Sequence, residues 1–68
     1  MRFVDLVDLA YGFGLRETRV VGSHRIFAHP DHRERALSLQ PRRGEAKPYQ
    51  IRELLAFVDD YDLTLEAE

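Results

Sequence analysis

VVGSHRIFAHP, Val20 to Pro30, decides how this chain folds. Gly22-Ser23 is a short turn signal between two β-rich runs. Upstream, Leu15 to Val21 mixes Thr and Val with charged residues and reads as a strand. Downstream, Ser23 to His29 reads as its hairpin partner, closed by the turn chemistry of Pro30-Asp31-His32. Strand side chains alternate between faces, so His24, Ile26 and Ala28 share one side while Arg25, Phe27 and His29 share the other. A side chain as large as Phe27 belongs to the core, which turns His24 toward the opposite face.

Phe3, Leu6, Val7 and Ala10 recur at helical spacing and predict a helix over residues 3–11, with Gly12 and Gly14 as its stop. Arg33 to Arg35 reads as a loop, and Ala36 to Gln40 alternates as a third short strand ended by Pro41. RRGEAK, residues 42–47, reads as a charged loop containing glycine. Pro48 suits a first helical position, and Ile51, Leu54, Leu55 and Val58, extended by Tyr61, form the apolar stripe of a second helix. Leu63-Thr64-Leu65 reads either as a short extra strand or as a frayed end. The order α-β-β-β-α places the chain in the α+β class, with two helices packed on one face of a three-stranded antiparallel sheet. Nothing remains to cover the other face, so it meets water, a partner or a substrate.

Sixty-eight residues make one domain, residues 1–68, with a core over about 1–63 and an acidic end at 64–68. A domain this small buries only about 60% of its unfolded surface, so a stabilising partner is in keeping with it. There is no cysteine, hence neither a disulfide nor a thiolate metal site. No apolar run approaches the roughly 20 residues that span a bilayer. Asp5 and Asp8 interrupt the apolar N-terminal stretch and argue against a signal peptide. A cytoplasmic protein that avoids membranes is the expectation. The net charge of −2 conceals a segregation: residues 16–47 carry eight Lys/Arg against four acids, whereas residues 48–68 carry one Arg against six acids. A basic middle suits an anionic partner, and a mixed solvated surface explains the same counts equally well.

On spacing alone, a lone strand histidine is more often structural or merely exposed than catalytic. His24, His29 and His32 would be three imidazole ligands, yet His24 and His29 lie about 16 Å apart along a strand, too far to share one metal ion. No metal and no cofactor is expected. Ser23 and His24 are neighbours on a strand and face opposite ways, which argues against a Ser–His dyad. No paired carboxylates, phosphate loop or dinucleotide fingerprint is present. Lys47, just before Pro48 and after Arg42 and Arg43, is disfavoured by the positive end of a helix, and so makes sense beside an anion. An RNA phosphate is the natural functional candidate, with an ordinary charged loop as the alternative.

Gly22-Ser23-His24 followed by Ile26-Phe27 and His29-Pro30, then a third strand, a basic loop and AKPYQIRELLAF, resembles the HicA family of toxins from type II toxin–antitoxin systems. The resemblance runs from the first helix to about Leu63. It implies a fold like the double-stranded-RNA-binding domain and an mRNA interferase: a metal-independent endoribonuclease that cleaves messenger RNA and halts translation. It also implies a HicB-type antitoxin as partner, with any contact to DNA running through that antitoxin. The family's catalytic histidine follows Gly-Ser, which carries over to His24, with Gly22 and Ser23 as the active-site turn. A second histidine often follows it in the family, where this chain has Arg25. RNA supplies its own nucleophile, the 2′-hydroxyl, so the enzyme needs chiefly a proton acceptor and charge stabilisation at the phosphate. Arg25, Arg42, Arg43 and Lys47 are the candidates for RNA binding. The alternative is a non-catalytic RNA-binding or antitoxin-binding module of the same fold.

Overall fold

The computed structural model describes residues 1–66, which run α1 (Phe3–Gly12), β1 (Arg16–Val21), β2 (His24–His29), β3 (His32–Leu39) and α2 (Pro48–Asp60). The strands form one antiparallel sheet in the order β1-β2-β3. The α-β-β-β-α layout expected from the sequence is thus present.

Helix α1 buries Phe3, Leu6, Val7 and Ala10, the stripe its spacing predicts. It ends where Gly14 takes a left-handed φ of 92°. The Gly14 N–H donates to the Tyr11 carbonyl at 2.9 Å and the Leu15 N–H to the Ala10 carbonyl at 3.0 Å. This pair of bonds satisfies two terminal carbonyls and brings buried Leu15 against buried Ala10. The β1–β2 turn is equally local in origin. Val21 pairs with His24 across Gly22-Ser23, with Gly22 at φ 62°, the position that demands glycine in a tight hairpin.

Strand β3 corrects the sequence reading. It spans His32–Leu39, whereas residues 33–35 read as a loop and residues 36–40 as the strand. His29 pairs with His32 across a two-residue turn, and the next rung is Ala28 with Ala36. Arg33, Glu34 and Arg35 are therefore inserted opposite a single step of β2. Three consecutive charged residues carry no apolar alternation, which is why they read as loop. Arg35 reaches Asp60 of α2 at 2.6 Å.

Helix α2 opens on Pro48 as expected, but its buried face is rotated from the predicted stripe. Gln50, Leu54 and Phe57 are buried, Ile51, Val58 and Tyr61 only partly so, and Leu55 is 46% exposed. Phe57 is the larger side chain and wins the central position. Buried side chains of both helices join Phe27, Leu37 and Leu39 in one core cluster, so the opposite face of the sheet is left uncovered by the described residues. Residues 63–65 form no strand, and the Glu66 N–H donates to the Gly12 carbonyl at 2.7 Å. Residues 67 and 68 of the expected acidic end lie outside the described residues. Among the described residues no helix is long and apolar enough to cross a membrane.

Candidate functional site

His24 opens β2 immediately after the Gly22-Ser23 turn, and its side chain is exposed. It lies on the same side as Ile26 and Ala28, opposite to fully buried Phe27. Its Nδ1 is 3.1 Å from the hydroxyl of Ser38 on β3. Ser38 pairs with Ile26 in the ladder and so meets His24 on the diagonal. In the tautomer whose Nδ1–H donates to that hydroxyl, Nε2 keeps its lone pair, the arrangement an imidazole needs to accept a proton.

Arg25 does not accompany it. The β1–β2 ladder shifts between Glu17 and Arg19, so Thr18 is bulged and Glu17 pairs with Phe27 instead of continuing the alternation from Val21 and Arg19. The bulge carries Glu17 to the helix side, where Arg25 donates to both its carboxylate oxygens at 2.9 and 3.1 Å. The Arg25 guanidinium also lies 5.6 Å from the ring centres of Phe3 and Phe27. The hydrogen bond from Arg25 holds the Glu17 carboxyl below its ordinary range, and the bond to Glu17 reciprocally raises Arg25. Expected among the RNA-binding residues, Arg25 is committed to a carboxylate on the face away from His24.

The same bulge removes an acid from the open face and leaves cations there. Arg16, Arg19 and Arg33 line a groove of about 430 Å³ with Ile26, Ala28 and Ala36, closed at one end by His29 and Pro30. Arg19 and Arg33 form no ion pair among the described residues. Arg33 donates to the Pro30 carbonyl at 3.3 Å, and Arg16 to the Leu15 and Tyr11 carbonyls at 2.7 and 3.2 Å. Arg16 is also 3.8 Å from the Glu66 carboxylate, both side chains being more than half exposed. None of these arginines figured among the expected site residues. The bulge and the misplaced start of β3 hid them, although strand parity with Val21 was a usable signal for Arg19.

The expected basic loop is a second small hairpin. Arg42 and Glu45 exchange backbone hydrogen bonds at 2.9 Å around Arg43 and Gly44, whose φ values are 52° and 80°. Two left-handed residues in succession form the turn type usually reserved for Asn-Gly. The Phe3 N–H donates to the Gly44 carbonyl and the Ala46 N–H to the Met1 carbonyl, both at 2.9 Å, which ties the hairpin to the start of α1. It leaves the sheet at the His24 end, because Leu39, the last residue of β3, pairs with Arg25. Arg42 and Arg43 are exposed, and neither they nor Lys47 form an ion pair among the described residues. The Lys47 ammonium sits 5.8 Å from the centre of the Tyr49 ring.

His29 and His32 stand at the far end of β2, their ring centres 5.0 Å apart, and His32 stacks on Tyr61 at 4.1 Å. Among the described residues no three His, Asp or Glu side chains converge as metal ligands. Comparison of the chain with protein-family models, with curated proteins and with solved structures finds no match.

Proposed function

We propose that this chain is a cytoplasmic HicA-like toxin, a metal-independent endoribonuclease on a scaffold like the double-stranded-RNA-binding domain, held inactive by a HicB-type antitoxin laid over the open sheet face. The observation that carries the reading is the exposed His24 imidazole on the uncovered face, with Nδ1 held by Ser38. In the proposed step the 2′-oxygen of a ribose attacks the adjacent phosphorus. Nε2 of His24 takes the 2′-hydroxyl proton, the bond from phosphorus to the 5′-oxygen breaks, that oxygen receives a proton from water, and the hydroxide so formed takes the proton back from Nε2. The products are a 2′,3′-cyclic phosphate and a 5′-hydroxyl, with no redox change. Arg42 and Arg43, on the hairpin that follows β3 beyond the His24 end of the sheet, and Lys47, at the start of α2, would supply charge for phosphates that run past that end. Arg43 holds a left-handed conformation that a bulky residue adopts at a cost, a place where charge is kept against local preference.

A second reading, a module that binds RNA or antitoxin without cutting, is favoured by one feature: among the described residues the side-chain hydrogen bond of His24 goes to Ser38, a hydroxyl and not a second acid–base group. One assay separates the two. Purified protein free of antitoxin, incubated with RNA in EDTA, is expected to cut, and His24→Ala to cut about 10²- to 10⁴-fold more slowly. Undiminished cleavage by His24→Ala, or cleavage abolished by EDTA, refutes the proposal. Intact RNA with a retained gel shift establishes the binder.

A further inference from the structure

The groove lined by Arg16, Arg19 and Arg33 has no part in the step at His24, yet it lies on the same open face. Ile26, its floor, is two residues along β2 from His24, a separation of about 7 Å. A span that short is bridged by a single nucleotide. We propose that this groove is a binding subsite for one nucleotide of a single-stranded RNA, with Arg19 and Arg33 on its phosphates and its base laid over Ile26 and Pro30. The proposal names the substrate class of the nuclease reading and rests on it for the link to His24.

Three observations support a single strand as occupant. The groove, about 430 Å³ and open on its outer side, falls in the range of roughly 300–1,000 Å³ typical of small-ligand sites and has room for one nucleotide. The floor is apolar, with Ile26, Ala28 and Ala36 between the arginines and Pro30 at its edge. Such a surface accepts an unstacked base face, which a duplex keeps buried and a single strand presents. Finally, among the described residues none lining the groove is acidic, the Thr18 bulge having moved Glu17 to the other face. Glu66 lies 3.8 Å from Arg16, its exposed carboxylate in a place that an RNA phosphate can take.

The test measures binding of a short, uncleavable 2′-O-methyl RNA, single-stranded and as a duplex, by fluorescence anisotropy across a salt series. Wild-type protein is expected to prefer the single strand. For Arg19→Gln/Arg33→Gln the salt slope is expected to fall by about 1.4, at roughly 0.7 per lost phosphate contact, so the affinity loss between 50 and 200 mM salt shrinks about sevenfold. Arg19→Lys/Arg33→Lys keeps both charges and is expected to keep the slope; thermal melts of all variants verify the fold. An unchanged slope in the glutamine variant, a preference for duplex, or binding confined to a poly-glutamate peptide overturns the subsite. His24→Ala is expected to bind like wild type. If no protein cuts RNA while binding still depends on Arg19 and Arg33, the nuclease reading fails and the subsite stands.

Discussion

Replacing Phe27 and Ile26 by alanine, one at a time, tests which face of β2 is buried, the point on which the exposure of His24 turns. Phe27 is 0% exposed and lies at the centre of the core cluster. Truncating a buried phenylalanine removes its transfer energy and leaves a cavity, a cost of about 3–5 kcal/mol. A domain of 68 residues has roughly 3–10 kcal/mol in total, at about 0.05–0.15 kcal/mol per residue. Phe27→Ala is therefore expected to lower Tm by at least about 12 °C, at roughly 4–8 °C per kcal/mol, and to leave much of the chain unfolded at 37 °C. Ile26, its neighbour, is partly exposed on the groove floor. Its truncation is expected to cost only about 1 kcal/mol, a typical value for a single substitution, and less than about 8 °C. Far-UV circular dichroism melts and urea titrations of both variants supply the comparison. Equal losses, or a larger loss for Ile26→Ala, would refute the assignment of faces and with it the placement of His24 on the open side.

Gly14→Ala is expected to cost about 1–2 kcal/mol, because an L-residue must adopt the left-handed φ of 92° and its Cβ would stand 2.9 Å from the His29 ring; an unchanged melt counts against that backbone geometry. Glu17→Gln is expected to flatten the acid limb of the stability curve. Arg25 holds the Glu17 carboxyl below its ordinary value of 4.5, so its contribution is complete above that pH and is lost as pH falls from there through the lower folded value. Urea midpoints followed downward through pH 4.5 provide the check, and parallel curves for the two proteins would show that the pair contributes nothing. Arg43→Asn, which places a residue tolerant of φ 52° in the turn, is expected to raise Tm by several degrees while weakening RNA binding; a lowered Tm would remove the case for strain there.

Much of the framework was legible because it is local. The Gly22-Ser23 turn, the helical spacing of Phe3 to Ala10, the Pro48 start of α2 and the opposition of Phe27 to His24 each depend on residues a few positions apart. What lay beyond the sequence depends on distant partners. The Thr18 bulge is set by how β1 settles against β2, and it alone decides that Glu17 meets Arg25 and leaves the open face to Arg19. The insertion of Arg33 to Arg35 is visible only once Ala36 is seen opposite Ala28. Choosing Phe57 over Leu55 for the core required the sheet and α1 to be in place.

The order of elements and the side of β2 on which His24 stands are thus local properties, because a period of two and a glycine turn are written in adjacent residues. That Arg16 and Arg33 join Arg19 on that side, and that Ser38 meets the imidazole, follows only from how the strands pair. A one-residue change of register flips every side chain beyond it, and register is settled between strands, out of reach of any short stretch of sequence.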